Sequence, residues 1–118
     1  INWEIAEEVL SAYGFELDRA ENGKICVEMF EKSEPGYYSV ILMDIRMPVM
    51  DGYDATRAIR ALDRTDRYLP IVAMTADAFE DDVQYCISCG MNAHVAKPLD
   101  IKELIRVLHK FIHGEEME

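Results

Sequence analysis

Three polar residues stand at the ends of three apolar runs. Val40-Ile-Leu-Met43 runs into Asp44, Ile71-Val-Ala-Met74 into Thr75, and Ala93-His-Val-Ala96 into Lys97-Pro98. Together they offer a carboxylate that can act as nucleophile or ligand, a hydroxyl donor and a compact positive charge. Taken singly, each has a plainer explanation. An Asp after a strand is usually a turn or cap residue, Thr75 would cap the next helix, and Lys97 would be a solvated strand end. The three ends in register are what carry the signal, because parallel strands would bring them onto one small surface.

The runs themselves say how this happens. An unbroken apolar stretch fits a strand buried on both faces, as in a parallel sheet covered by helices, and such sheets place their ligand sites at the carboxyl ends of the strands. Between the runs the pattern is helical. Residues 2–13 carry Ile5, Val9 and Leu10 on one side, with Gly14 closing the helix. Helices also follow at about 23–32 (Cys26, Met29 and Phe30 inward), 53–63 (Ile59, Leu62) and 79–89 (Phe79, Val83, Cys86 and Ile87 inward, Gly90 as cap). Asp100-x-x-Glu103 reads as a capping box before a stripe of Ile101, Leu104, Ile105, Leu108 and Ile112. Strands are expected at 15–18, 39–44, 70–74 and 93–96. The class is α/β, a doubly wound parallel sheet with helices on both faces, in one domain over 1–118 with a frayed tail at 114–118.

Composition bounds the partners. The 118 residues carry a net charge of −11, which argues against nucleic-acid or anionic-membrane surfaces, and half are apolar, enough for a real core. No stretch reaches the length of a membrane span, and three cysteines form no disulfide framework, so a cytoplasmic setting is expected, with a parent chain free to be membrane-anchored. Cys86-x-x-Cys89 lies within one helix with no second pair, so Cys86 reads as a small buried hydrophobe rather than a zinc ligand. His109 and His113, four apart on the last helix, read as surface residues.

Asp44 followed by Met-Pro-Val-Met-Asp-Gly, the Met74-Thr75-Ala76 step, and Ala96-Lys97-Pro98 together resemble a response-regulator receiver domain, and the resemblance runs over nearly the whole chain. The stretches around Thr75 and Gly90–Pro98 are similar to receivers attached to hybrid sensor histidine kinases. The resemblance implies a flavodoxin-like fold and a phosphoryl switch. Asp44 would accept a phosphoryl group from a phosphohistidine of a sensor histidine kinase or a histidine phosphotransfer domain. Lys97 would contact one phosphoryl oxygen, while the Thr75 hydroxyl and the Ala76 amide would contact another. Mg²⁺ would bridge Asp44, the Arg46 backbone carbonyl and the phosphoryl group. The Lys97–Pro98 bond would be cis. Arg46 and Asp77 would flank the mouth and tune the lifetime of the acyl phosphate. His94 would occupy the place of a switching aromatic, or simply face outward. The reporting face would comprise the 79–89 helix, the last strand and the last helix.

One departure stands out. Receivers open with a strand that ends in a pair of cation-binding acids, the middle strand of a sheet ordered 2-1-3-4-5. This chain opens at Ile1-Asn-Trp-Glu4, within what reads as the following helix, and Glu4, Glu7 and Glu8 cannot replace the acids. The natural chain would then be longer, or strands 15–18 and 39–44 would pair directly, or a second chain would fill the gap in an exchanged dimer; the first is favoured. Weak cation binding and slow or absent phosphorylation follow for these 118 residues. A partner-binding pseudo-receiver and a stand-alone response regulator remain as alternatives. An aspartyl-nucleophile phosphatase of the haloacid dehalogenase type would want an acid where Arg46 stands, and no G-x-G-x-x-G supports a dinucleotide site.

Overall fold

In a computed structural model of the chain, residues 3–46, 48–75, 80–97 and 100–113 are described. Their order is α1 (Trp3–Ala12), α2 (Gly23–Lys32), β1 (Ile41–Asp44), α3 (Gly52–Arg60), β2 (Ile71–Thr75), α4 (Glu80–Cys89), β3 (Ala93–Ala96) and α5 (Ile101–His113). The strands form one parallel sheet in the order β1-β2-β3, with Asp44 level with Met74, and Met74 level with Val95.

Side chains alternate across a strand, and the two faces of this sheet feed two separate cores. Met43, Ile71 and Ala73 pack with Phe30 of α2, Ala55 and Ile59 of α3 and Cys86 of α4. Val72, Met74 and Val95 pack on the other face with Leu10 of α1 and Leu104, Val107 and Leu108 of α5. β2 is buried along its whole length, which is why its sequence shows no polar alternation.

Helix ends follow local chemistry. The Asn22 side chain caps α2 by accepting from the Ile25 amide at 2.9 Å, and Asp51 caps α3 by accepting from Asp54 at 2.9 Å. Gly14 takes φ +91° after α1, as expected of a closing glycine, while the Phe15 amide returns to the Leu10 carbonyl.

Several expectations need correction. Residues 15–18 belong to no strand: the alternation is there, but a strand exists only through a ladder, and among the described residues β1 is bonded on one side, to β2. Direct pairing of 15–18 with β1 is therefore not formed. Phe15 and Leu17 instead pack against the α1–α5 core. Helix α3 stops at Arg60 rather than 63: the Ala61 amide is shared between the Arg57 and Ala58 carbonyls, and the Leu62 amide closes a tighter i→i−3 turn onto Ile59. Ile5, placed on one side of its helix with Val9 and the buried Leu10, is 57% exposed; Ile87, expected inward, is 56% exposed, and Cys89 takes the inward place on α4. The capping box is half formed: Asp100 accepts from Lys102, but Glu103 pairs with Arg106. His109, expected at the surface, is half-buried edge-on against Phe15, with ring centroids 5.7 Å apart. Phe79, Pro98 and the 114–118 tail lie outside the described residues.

Candidate functional site

Neighbouring parallel strands lie about 4.8 Å apart, so Asp44 and Lys97, with β2 between their strands, are separated by about 10 Å of sheet. Only a long side chain spans that gap. The Lys97 ammonium does so and donates to both Asp44 carboxylate oxygens at 2.9 Å. The ladder continues past the strand ends to hold both residues: the Lys97 amide donates to the Thr75 carbonyl at 2.7 Å, and the Ile45 amide to the Met74 carbonyl at 3.3 Å. The Arg46 amide adds a third donor to Asp44, at 3.1 Å.

Thr75 completes the group from the strand in between. It is 3% exposed, and its Oγ1 has no hydrogen-bond partner among the described residues. A buried hydroxyl left so costs about 1–3 kcal/mol. By strand alternation the hydroxyl lies on the α2–α4 face of the sheet, whereas Asp44 and Lys97 share parity with the residues of the α1–α5 face. The three residues singled out in the sequence thus sit together at the carboxyl edge of the sheet, as expected there.

Sequence reasoning missed the loop that holds Asp44. The Gly52 amide closes residues 45–52 into a ring by donating to the Ile45 carbonyl at 2.9 Å. A Cβ on Gly52 would lie 2.6 Å from the Asp44 carbonyl oxygen, so only glycine lets α3 start this close. Inside the ring, Val49 has φ +72° and the Met50 amide bonds back to Pro48 at 2.8 Å, a γ-turn with positive φ. That conformation costs a β-branched residue about 1–3 kcal/mol, and Val49 is also 79% exposed. The Met-Pro-Val-Met string gives no hint of it, since positive φ is normally read from Gly or Asn.

Other expected residues are placed less centrally. Arg46 and His94 are exposed, His94 on β3 level with Ala73. Ala76 and Asp77 lie outside the described residues, and the Arg46–Asp77 pair with them. Cys86 is buried, as its reading as a small hydrophobe requires; burial also pushes the half-buried Cys26 thiol up to about 11.

A hard cation such as Mg²⁺ wants a near-octahedral set of oxygens at about 2.0–2.1 Å. No group of three or more His, Cys, Asp or Glu side chains among the described residues is placed to hold a metal ion. Both Asp44 oxygens face an ammonium instead. These residues do not by themselves make a cation site. Nor is any helix among them long and apolar enough to cross a membrane.

Comparison with known proteins places the chain in a family. The model of the response regulator receiver domain family matches residues 1–109. The chain is 35% identical to the hybrid signal transduction histidine kinase M of Dictyostelium discoideum over 98% of its own length and 5% of that protein's. It is 34% identical to probable histidine kinase 4 of rice, Oryza sativa subsp. japonica, over 95% of its length and 13% of that protein's. The chain thus spans only a small part of the curated relatives it matches. Among solved structures it is similar to the receiver domain of a sensor histidine kinase from Pseudomonas aeruginosa, which has a magnesium ion coordinated in its active-site cleft. The TM-score is 0.82 and the identity 39%, over 95% of this chain and 88% of that one.

Proposed function

This chain belongs to the response-regulator receiver domain family, and from that premise we propose that Asp44 accepts a phosphoryl group from a phosphohistidine. A carboxylate oxygen of Asp44 attacks phosphorus, the N–P bond breaks, the imidazole leaves with the bonding pair, and an aspartyl phosphate forms. Lys97 neutralises a phosphoryl oxygen from the position it already holds against Asp44. The Thr75 hydroxyl, joined by the Ala76 amide, donates to a second oxygen. The observation that carries this reading is the buried Oγ1 of Thr75, without a hydrogen-bond partner among the described residues, on the strand that lies between Asp44 and the Lys97 paired with it.

The switch follows from the same hydroxyl. Drawing Thr75 toward a phosphoryl oxygen shifts β2 against the α2–α4 layer, with Arg46 and Asp77 as the residues that tune the lifetime of the aspartyl phosphate and His94, on the outer strand, as the one that relays the change. The 118 residues form one receiver domain. Its parent is a hybrid sensor histidine kinase, its donor a histidine kinase or histidine phosphotransfer domain, and its setting the cytoplasm. Mg²⁺ serves the reaction only where further acids join Asp44 and the Arg46 carbonyl, so no step above is assigned to it.

A second reading, partner binding without phosphorylation, is favoured by the incomplete cation set. Incubation with acetyl phosphate and excess Mg²⁺, followed by intact-mass measurement, separates the two. Slow, substoichiometric gain of one phosphoryl group, abolished by Asp44→Asn, supports the phosphoacceptor. No gain at any time supports the second reading, and fast stoichiometric gain overturns the account of the cation.

A further inference from the structure

The strained turn beside the site is pinned by a residue more than twenty positions earlier in the chain. The amide of Gly23, the first residue of α2, donates to the Met50 carbonyl at 3.2 Å. A Cβ at Gly23 would lie 2.4 Å from that oxygen and 3.1 Å from the Ala55 Cβ. The nearer obstacle is backbone, so it moves only if the turn moves. Gly23 itself has no positive φ among the glycines that do; its need for glycine is one of space alone.

The contacts form a chain that ends on the carboxylate. Gly23 holds the Met50 carbonyl, Met50 closes the Val49 turn, Gly52 closes the ring onto Ile45, and the Arg46 amide within that ring donates to Asp44 Oδ1. A strained φ persists only where its surroundings over-determine it. We propose that Gly23 is a positioning residue for Asp44: by its missing side chain and its amide it clamps the Val49 turn, and so fixes the carboxylate. Its functional weight rests on the phosphoacceptor reading, but its geometry does not.

The test is amide hydrogen exchange on the 118-residue chain and on Gly23→Ala, Val49→Gly and the double variant. In Gly23→Ala the Arg46 and Gly52 amides should exchange about tenfold faster or more, while those of Val72 and Ala73 in β2 keep their protection. Val49→Gly frees the turn to yield, so the double variant should recover to within about threefold of the parent. A merely structural role for Gly23 would not be rescued at Val49. Unchanged exchange in Gly23→Ala, or equal loss in the double variant, overturns the proposal. If Gly23→Ala does not fold, folding of the double variant counts for it; failure of the double variant where Val49→Gly folds counts against it. Transfer from acetyl phosphate is followed in parallel. A parent chain that takes no phosphoryl group tells against the phosphoacceptor and leaves the clamp to be decided by exchange.

Discussion

The Lys97 ammonium reaches across a strand that neither residue belongs to and meets both oxygens of Asp44 at 2.9 Å. The pair is open to water on one side, with side chains 33% and 30% exposed. Screening then limits its worth to folding to about 0–1 kcal/mol. Lys97→Ala should therefore leave the thermal midpoint nearly unchanged while removing phosphoryl transfer to Asp44. Lys97→Arg should not restore transfer, because a planar fork does not fit where a compact ammonium stands. Thermal denaturation and intact mass on the same samples check both.

Thr75→Val keeps the shape of the side chain and removes a hydroxyl that has no partner among the described residues. It should raise stability by about 1 kcal/mol in denaturant titration, the reverse of the usual sign for a polar-to-apolar change at a satisfied site. The same variant should lose any coupling between Asp44 modification and the helices.

Gly52→Ala would press a methyl group onto the Asp44 carbonyl oxygen at 2.6 Å, with the Ile45 Cα at 2.9 Å. Both obstacles are backbone. The expected cost is about 1–3 kcal/mol, accompanied by a shift of the Asp44 and Ile45 amide resonances that distant substitutions do not produce.

Away from the site, Arg64 donates to the Phe30, Glu31 and Ser33 carbonyls at the end of α2 and pairs with Asp66 at 2.9 Å. Arg64, helped by the Gly36 amide, holds the Asp66 carboxyl down at about 2, from an ordinary 3.8. A carboxyl lowered on folding stabilises the fold above its unfolded value, and that contribution is lost as pH falls from about 4 through 2. The parent chain should thus lose stability more steeply in this window than Asp66→Asn, measured by denaturant midpoint against pH.

Cys26, with its thiol raised to about 11 by burial, should react with iodoacetamide at pH 8 far more slowly than an unfolded control. Equal rates would show that the α2 face is open.

The candidate site was legible because its three residues end apolar runs, and a buried parallel strand leaves little other pattern to read. What failed was periodicity over short spans. On a ten-residue helix, Cys86 with Ile87 and Cys86 with Cys89 are competing stripes, and the fold buries the second, leaving Ile87 exposed. Residues 15–18 alternate like a strand, but alternation cannot say whether a neighbour is present to bond. Arg60 was invisible for another reason. Long cations read as solvated surface, yet burial lowers this guanidinium and it is bonded to the Arg67, Leu69 and Gly90 carbonyls. Which carbonyls lack donors is known only once the turns are folded. The Gly23 and Gly52 approaches belong to the same class, being facts about space between segments.

The division of the sheet into two faces has one more consequence. Its rim carries the hydroxyl toward one stack of helices and the charge pair toward the other, so a group bound there grips the sandwich from both sides at once. Such a grip would act like a clothes-peg at the edge of a folded card, with one jaw on each outer panel.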